Sequence, residues 1–473
     1  MNVVNALNKV MDPKTKSDGK KDIYIIGQGT YGCMYIPEIS CDSKQPTLNK
    51  YVSKIQQDNF ASRREIKIGN HIAKIKGYNA RFAPIIKTCP VNVATINGKE
   101  LTSCKMYMQA KAAHTTDNLI TCKIRYVGKN TLGKELDSVL LKTRPSTNVL
   151  DRYCKQFAET HMYLLNSLSI LNGNDVLHLD MKENNVMYDD TNHVPIIIDY
   201  GLSYNVSDLD IDEYAKNAAN PFGVNVPWYS PWCIEVVMLS YIAKQIQAKA
   251  DVAYKVDVTR LDSKIEDLST FAQMIDNYID QNLILQHKIF GANEVKDYKA
   301  GLIEWVKGFK GKTCREVWKM VLASNKSWDN YGLSGLYLHE LNISGLLDCI
   351  SPANVDAKNV NGNVLDKNIG GAVVLDGNVQ QEQSFLKQYV DALKKVILSS
   401  AANRPIAAET HKILDNVFRK TSRKLYNDVI TKFEAKLKGK DVKETIMMNR
   451  MESTRTAMLQ DNRLRVTRGA IVR

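Results

Sequence analysis

The sequence predicts an α+β fold in which a small, mainly β unit precedes a larger, mainly α unit. Strand-like segments are concentrated between residues 22 and 127, whereas segments with helical periodicity dominate after residue 132. The composition, with 44% hydrophobic and 24% charged residues, is that of a globular protein. The sequence also predicts no transmembrane segment, because no apolar run approaches the roughly twenty residues that cross a bilayer.

The β unit is predicted from short segments of apolar and β-branched residues that are separated by polar ones. One helix is predicted among them, over 61–76, because isoleucines recur there at helical spacing. The predicted strands are 22–26, 51–55, 91–96, 104–109 and 121–127.

The α unit begins with a long amphipathic helix, predicted over 150–171. A second helical block covers 240–326, and residues 351–381 are predicted to form a loop because they are rich in Asn, Asp and Gly. Helical periodicity resumes at residue 382 and is interrupted near Arg404-Pro405.

The net charge of +13 is concentrated at the two ends of the chain. Residues 419–473 contain fifteen Lys or Arg against six Asp or Glu, and residues 1–21 contain five against two. We expect a flexible basic arm over 1–21 and a basic helical tail over 419–473. Such a tail can bind nucleic acid or an acidic protein, and a solvated tail that keeps the protein soluble fits the same composition.

The nine cysteines are an odd number and contain no Cys-x-x-Cys pair. The sequence therefore predicts neither a disulfide framework nor a structural zinc site. We expect most of the cysteines to be small buried apolar residues in a protein that is kept in a reducing compartment.

A glycine-rich segment, Gly27-Gln-Gly29-Thr-Tyr-Gly32, follows the first predicted strand. The backbone of such a hairpin can approach phosphates because no Cβ obstructs it. A dinucleotide-binding domain would need a helix at the third glycine, but Cys-Met-Tyr-Ile-Pro continues as a strand. An ordinary tight hairpin is the alternative for this segment taken alone.

Two polar clusters carry groups that suit phosphoryl transfer. In His178-Leu-Asp180-Met-Lys182-Glu-Asn-Asn185, the Asp can orient a hydroxyl, the Lys can neutralise a moving phosphate and the Asn can hold a metal ion. The apolar strand 194–198 ends at Asp199, a carboxylate that can bind magnesium. Taken singly, each cluster is also compatible with an ordinary polar turn.

The order and spacing of these motifs resemble those of the eukaryotic-type protein kinases, over about residues 22–237 and 327–415. The resemblance implies a bilobal protein-kinase-like fold, with an N-lobe and hinge over 22–127 and a C-lobe over 128–418 that carries a helical insertion over about 238–326. It also implies ATP and Mg²⁺ as cofactors. Asp180 and Lys182 would then be catalytic, and Asn185 and Asp199 would bind the metal.

The same resemblance implies roles for residues around a nucleotide. Lys54 matches the strand lysine that binds the α- and β-phosphates and so belongs with the catalytic residues. Glu65 matches its helix partner, with a solvent-facing helix charge as the alternative. Gly27, Gly29 and Gly32 would cover the phosphates. The resemblance also implies a set of residues around the adenine, and plain core packing is the alternative role for them. They are Met34, Val52, Ile124, Arg125, Val127 and Met187.

Three further residues match positions that support the site in these kinases. Glu235, in Pro231-Trp-Cys-Ile-Glu235, and Arg404, in Asn403-Arg404-Pro405, match a buried ion pair. Asp329, in Ser327-Trp-Asp329, matches the helix aspartate that braces the catalytic loop. We therefore expect an ion pair between Glu235 and Arg404 and a contact between Asp329 and the loop around Asp180.

Two short motifs resemble kinases of nucleocytoplasmic large DNA viruses: the glycine segment extended to Ser40-Cys41, and Trp-Tyr-Ser-Pro-Trp before Glu235. They imply a viral protein in the host cytoplasm, and packaging in the virion is compatible with this. Leu179 stands where most of these kinases have the Arg that receives a phosphorylated loop, which indicates activity without that phosphorylation. Trp228 replaces a Thr of the serine/threonine kinases, whereas Lys182 favours Ser and Thr as acceptors.

The sequence therefore predicts an ATP-dependent serine/threonine protein kinase with a protein substrate. A pseudokinase that serves as a binding scaffold usually lacks a residue equivalent to Lys54, Asp180 or Asp199, and all three are present. A small-molecule phosphotransferase usually lacks the equivalent of Lys182. Nucleic-acid binding by the tail can coexist with catalysis, and the insertion can dock substrate, bind a partner or be structural padding.

Overall fold

The computed structural model describes most of the chain, and it is a mixed α+β structure with an N-terminal sheet and a mostly helical remainder. The expected basic arm, the expected loop over 351–381 and most of the basic tail lie outside the described residues. The described residues are 23–29, 32–41, 50–141, 147–216, 226–246, 256–286, 289–349, 385–420, 446–456 and 459–460.

Five antiparallel strands form the N-terminal sheet, in the order β1-β2-β3-β6-β5, and the others form two small sheets in the helical part. The pairing of β3 with β6 runs from Tyr51 opposite Arg125 to Gln57 opposite Leu119 and forms the centre of the larger sheet. The strands are β1 (Tyr24–Gln28), β2 (Cys33–Ile36), β3 (Tyr51–Gln57), β4 (Phe82–Ala83), β5 (Ile85–Pro90), β6 (Leu119–Arg125), β7 (Val176–Leu177), β8 (Val186–Asp189), β9 (Val194–Ile198) and β10 (Tyr204–Asn205).

The helix predicted over 61–76 is present as α1 (Phe60–Ile72) and packs against β5. Asn59 and Ser62 form a capping box at its start, which satisfies amide groups that the first turn leaves unpaired. The helix approaches the sheet very closely at Gly69, where a Cβ would lie 2.4 Å from the carbonyl oxygen of Ile85. Only glycine allows that approach.

Two of the predicted strands are wrong. Residues 91–96 contain a 3₁₀ turn, Val93–Thr95, and the segment predicted as a strand over 104–109 is helical. The apolar alternation there was misleading, because the Met, Gln, Ala and Lys residues that follow Cys104 are strong helix formers. The structure instead has α2 (Gly98–Thr102) and α3 (Lys105–Ala112), and the sheet is completed by β5, which was not predicted.

The prediction that the chain contains no disulfides is also wrong. Cys33 in β2 is bonded to Cys104 at the start of α3, and Cys41 is bonded to Cys89 in β5. The partners are 71 and 48 residues apart in the sequence, so no local spacing reveals them. The expectation of buried thiols holds for three described cysteines that are not in disulfides, Cys122, Cys154 and Cys233.

The helical part is built around a helix that is buried on nearly all sides, α12 (Trp328–Ser344), which packs against α5 and α13. The long helix predicted over 150–171 is confirmed as α5, and the predicted break near Arg404 separates α13 from α14. The other helices are α4 (Leu132–Leu141), α5 (Thr147–Gly173), α6 (Ile211–Lys216), α7 (Ile234–Gln245), α8 (Val258–Leu261), α9 (Ser269–Gln281), α10 (Ala292–Lys307), α11 (Cys314–Leu322), α13 (Phe385–Ile397), α14 (Ala407–Lys420) and a helix over 446–456.

The segment over about 238–326, which the resemblance implies to be an insertion, contains α8 to α11 and is integrated into the helical part. The Tyr278 hydroxyl on α9 donates a hydrogen bond to the Tyr331 hydroxyl on α12 at 2.7 Å. The Trp318 indole on α11 donates to the Leu209 carbonyl at 2.8 Å. The insertion therefore shares the core of the helical part and contacts the segment that follows β10.

The two small sheets bring the polar clusters of the sequence to the boundary with the N-terminal sheet. β7 pairs with β10, so that Leu177 lies opposite Tyr204, and β8 pairs with β9, so that Met187 lies opposite Ile196. The loop over 178–185 therefore lies beside Asp199, the residue that directly follows β9. Among the described helices, none is both long and apolar enough to cross a membrane.

Candidate functional site

A cleft of about 420 Å³ lies between the N-terminal sheet and the helical part. Its walls come from β1, β2, β3 and β6 on one side and from the loop 178–185, β8 and Asp199 on the other. All fifteen site residues predicted from the sequence line it: Gly27, Gly29, Gly32, Met34, Val52, Lys54, Glu65, Ile124, Arg125, Val127, Asp180, Lys182, Asn185, Met187 and Asp199.

The glycine segment forms the hairpin between β1 and β2, and the Gly29 amide donates to the Gly32 carbonyl at 2.9 Å. Packing requires glycine at position 32, because a Cβ there would lie 2.3 Å from the carbonyl oxygen of Ile55. Packing does not explain Gly27 and Gly29, whose Cβ positions face open space. The absence of side chains at these two positions leaves room for a ligand in the cleft.

The inner part of the cleft is apolar. Val52 lies opposite Ile124 across β3 and β6, and Met34 on β2 packs beside them. Met187 on β8 lines the cleft from the helical part. A flat apolar group can therefore lie between the sheet and Met187, as the assignment of these residues to an adenine site requires.

The chain leaves the N-terminal sheet at the end of β6 and crosses directly over β8. The Arg125 guanidinium forms an ion pair with Asp189 at the end of β8, with 3.3 Å between Nη1 and Oδ2. At Gly128 a Cβ would lie 2.2 Å from the carbonyl oxygen of Tyr188, so this crossing requires glycine. The residues between them, including Val127, line the cleft.

Lys54 is buried in the cleft and is held by two carboxylates. Its Nζ lies 2.8 and 2.9 Å from the Glu65 carboxylate oxygens and 3.7 Å from Asp199 Oδ1. Burial acts to lower the pKa of Lys54, but Glu65 and Asp199 outweigh it and raise the pKa above its usual value. Lys54 is therefore a fixed cation. The alternative of a solvent-facing Glu65 is wrong, because this side chain is buried against Lys54.

The helix that carries Glu65 is tied to the segment after Asp199. Arg64 is buried, donates to the Gly201 carbonyl at 2.8 Å and to the Tyr204 hydroxyl, and lies over the Tyr204 ring. One turn further along α1, Lys67 forms an ion pair with Asp208 at 2.8 Å. These contacts keep α1 in the position from which Glu65 reaches Lys54.

The loop 178–185 is braced from below by Asp329, as predicted. One carboxylate oxygen of Asp329 accepts from the His178 amide at 2.8 Å and from the Asn172 side chain at 2.9 Å, and the other accepts from the Leu179 amide at 2.8 Å. Leu179 has φ of 59°, in the left-handed region that non-glycine residues rarely adopt. Its carbonyl accepts from the Trp232 indole at 2.9 Å, so the strained turn is held at both of its peptide groups.

Asp180 and Lys182 meet at the mouth of the cleft, together with a residue that the sequence did not single out. Lys182 Nζ lies 3.2 Å from Asp180 Oδ1 and donates to the Tyr229 hydroxyl at 3.1 Å. The Tyr229 hydroxyl in turn donates to Asp180 Oδ1. Trp228 has no hydroxyl, and the neighbouring Tyr229 supplies one to the site. The sequence signal for this role was the hydroxyl-bearing residue next to Trp228 in Trp228-Tyr229-Ser230.

Asp180 is more basic than an ordinary aspartate. Burial raises its pKa, and the opposing effects of Lys182 and of the Tyr229 hydrogen bond do not cancel the increase. A carboxylate at the cleft mouth with a raised pKa suits a group that orients a hydroxyl and accepts its proton.

Asn185 and Asp199 are the oxygen donors that could hold a metal ion. The Asn185 amide nitrogen donates to the Asp180 carbonyl at 2.9 Å, which leaves its side-chain oxygen as the ligand atom. Asp199 is 42% exposed, and although burial acts to raise its pKa, Lys54 and Lys182 hold the pKa below its usual range. No group of three or more His, Cys, Asp or Glu side chains suited to a metal occurs among the described residues. Two oxygen donors fit Mg²⁺, which is commonly shared with substrate phosphates.

The predicted ion pair between Glu235 and Arg404 is confirmed. Arg404 Nη1 lies 2.7 Å from Glu235 Oε2, and both side chains are 0% exposed. The pair joins the start of α7 to the turn before α14 and lies away from the cleft. It therefore supports the helical part rather than contacting a ligand.

The cleft thus combines an apolar slot, a fixed cation, two oxygen donors for a hard metal ion and a basic carboxylate next to a second lysine. These groups can bind a phosphate-bearing ligand with a flat apolar part and can accept a proton beside its phosphates. No protein-family model matches the chain, and no curated protein matches it.

Proposed function

We propose that the chain is an ATP-dependent serine/threonine protein kinase with a bilobal protein-kinase-like fold. The N-terminal sheet and α1 would be its small lobe, and the helical part its large lobe. The observation that carries the proposal is that fifteen residues chosen from the sequence, spread from Gly27 to Asp199, line one cleft. Unrelated turns and core residues would have no reason to meet in this way.

The cleft residues account for binding of the nucleotide. The slot between Val52 and Met187 takes the adenine, while Gly27 and Gly29 leave room for the phosphates under the hairpin. Lys54 neutralises phosphate charge, and Glu65 fixes the position of its ammonium group. Asn185 and Asp199 would hold Mg²⁺, which, when bound, neutralises the charge of the phosphate oxygens.

Transfer requires an oriented acceptor hydroxyl. The Asp180 carboxylate accepts a hydrogen bond from this hydroxyl and takes its proton while the oxygen bonds to the γ-phosphorus and the bond to the ADP oxygen breaks. Lys182 stabilises the negative charge on the transferred group. Tyr229 links Asp180 to Lys182 and so keeps both groups in position.

Serine and threonine are the proposed acceptors because Lys182 follows Asp180 by two residues, as in kinases of that specificity. We also propose activity without phosphorylation of the segment after Asp199. The Leu179 side chain is buried in the core, and Arg64 already ties α1 to that segment. A viral origin and a location in the host cytoplasm are proposed on the two short motifs alone, and the two disulfides do not support this location because disulfides are rare in cytosolic proteins.

The proposal is tested by transfer of label from [γ-³²P]ATP with Mg²⁺ to casein, to a basic protein and to the chain itself. Asp180→Asn and Asp199→Ala are compared with the wild type. Asp276→Asn is the control, because it changes a carboxylate on α9 that is paired only at the surface with Lys299. Thermal stabilisation by Mg-ATP is measured for every variant in parallel.

We expect label on serine or threonine for the wild type and the control, and about a thousandfold less for the two cleft variants. Transfer that survives Asp180→Asn would overturn the mechanism. Stabilisation by Mg-ATP without any transfer would favour the binding scaffold instead. If no nucleotide binds, the proposed function is wrong.

A further inference from the structure

Three buried charged side chains, Asp137, Glu340 and Arg450, form a cluster with the half-buried Glu183 of the loop 178–185. The guanidinium of Arg450, from the helix over 446–456, lies 2.7 Å from Asp137, 2.8 Å from Glu183 and 2.6 Å from Glu340. Arg450 is only 10% exposed and Glu340 only 1% exposed. The three carboxylates come from α4, from the loop and from α12, and a single cation from the C-terminal segment joins them.

The packing around this cation is tight. Arg450 also donates to the Gly133 carbonyl at 3.3 Å, and a Cβ on Gly133 would lie 2.5 Å from Arg450 Nη1 and 2.9 Å from Glu183 Cδ. Thr131 donates a further hydrogen bond to Glu183 at 3.2 Å. Glu183 lies between Lys182 and Asn185, so its position is coupled to that of both residues.

Two side chains attach the C-terminal helix to the helical part. Ile446 is buried in its apolar core, and Arg450 is buried in the charged cluster. Met447, Met448 and Met451 are exposed. The helix also makes polar contacts, such as the 2.7 Å hydrogen bond between Ser453 and His339. Arg450 is therefore the anchor that connects this helix to the loop 178–185.

The same segment forms one wall of a second cavity, of about 260 Å³. The loop 178–185, α12, Ser230 and Pro231 also line it. Lys182 and Asn184 line both this cavity and the nucleotide cleft, so the two spaces adjoin next to Asp180. Gln460, which also lines the cavity, donates to the Trp228 carbonyl at 3.3 Å, beside Tyr229.

We infer that residues 446–456 and 459–460 are a built-in part of the acceptor side of the site, and that Arg450 is a positioning residue that fixes the catalytic loop through Glu183. The acceptor assignment rests on the proposed kinase function. Part of what the sequence predicts to be a basic helical tail is thus a structural element of the site. The acceptor hydroxyl reaches Asp180 past a surface to which the C-terminal segment contributes.

The test uses the full chain with Arg450→Met and, as a matched control, Arg455→Met. Arg455 is on the same helix but is 75% exposed, with Glu452 as its partner at 3.9 Å. Hydrogen–deuterium exchange is followed in peptides that cover 178–186 and 446–456. Exchange reports on the loop whether or not the chain transfers phosphate, so failure of this inference is distinguishable from failure of the proposed function.

We expect Arg450→Met to accelerate exchange in both peptides at least about tenfold, because the loop loses its anchor, and Arg455→Met to leave both unchanged. In transfer assays kcat should fall about tenfold or more in Arg450→Met, with the KM for ATP within about twofold of the wild-type value. Faster exchange in 446–456 with no change in 178–186 would overturn the inference.

Two further variants separate positioning from stability. Arg450→Lys keeps a cation in the cluster and should retain more activity than Arg450→Met. Adding Glu340→Gln to Arg450→Met removes one unpaired carboxylate and should recover part of the lost stability while kcat stays low. Recovery of kcat to the wild-type value in that double variant would show that Arg450 acts on stability alone, and the inference would be wrong.

Discussion

The buried ion pair between Glu235 and Arg404 gives a prediction whose size follows from its geometry. Arg404→Met leaves the Glu235 carboxylate without its partner at a position that is 0% exposed. It also removes hydrogen bonds from Arg404 to the carbonyls of Val396 and Ser399, at 3.2 and 3.1 Å. Removing one partner of such a pair costs about 3–5 kcal/mol, because the remaining charge stays buried. Because the entropy of unfolding grows with chain length, 473 residues give about 1 °C per kcal/mol, and the melting temperature should fall by about 3–5 °C.

A surface pair of the same length provides the control. Arg419 and Asp415 on α14 are also 2.7 Å apart, but the Arg419 side chain is 75% exposed. An exposed pair contributes about 1 kcal/mol or less, so Arg419→Met should shift the melting temperature by no more than about 1 °C.

The assay is differential scanning calorimetry of both variants and of the double variant with Arg404→Met and Glu235→Gln. The double variant should recover part of the loss, since it removes the stranded charge. Equal shifts for Arg404→Met and Arg419→Met would refute the reasoning, because distance alone would then determine the contribution of a pair.

Three further predictions concern the cleft and the sheet. Tyr229→Phe removes the hydroxyl that holds Asp180 beside Lys182, so kcat should fall about tenfold or more as both groups lose their fixed position, and it also removes a hydrogen bond that lowers the pKa of Asp180. The proposed transfer requires ionised Asp180, so activity is lost as the pH falls through the pKa of Asp180. In Tyr229→Phe this loss should begin at a higher pH. A pH–rate profile of the variant that overlays the wild-type profile would contradict this. Lys54→Met should reduce transfer at least about a hundredfold in initial-rate assays, since it removes the cation that is proposed to neutralise the phosphates; near-normal rates would exclude the assigned role. Replacing Cys33 and Cys104 by Ser opens a link across 71 residues and should cost about 4 kcal/mol in urea unfolding; an unchanged urea midpoint would mean that the disulfide does not form in solution.

Much of the cleft was predictable because its residues lie close together in the sequence, in short segments whose local structure fixes their positions. Asp180, Lys182 and Asn185 lie in one loop, which leads into β8. Asp199 directly follows β9, the strand that pairs with β8. Their proximity therefore follows from one hairpin. The pairing of Lys54 with Glu65 follows in the same way from a strand and the helix that comes directly after it.

The features that were missed depend on contacts between segments far apart in the sequence. The disulfide partner of Cys33 lies on a helix that the sequence suggested was a strand. Tyr229 matters because its hydroxyl reaches a carboxylate 49 residues earlier in the chain. The binding of Arg450 to Asp137 spans 313 residues, and composition alone placed Arg450 in a basic tail. Periodicity and local spacing carry no information about such contacts.

The attachment of α1 by Arg64 and Lys67 bears on how the protein would be controlled. Both contacts are present in the unmodified chain, and neither uses a phosphorylated residue. Ser203, Tyr204 and Tyr214 in the following segment are buried, so a modifying enzyme would reach them only after local unfolding, whereas Ser207 is exposed. For an enzyme of the proposed kind, the competent conformation would then be the resting one. The amount of phosphate transferred would follow the timing of synthesis and the number of copies made.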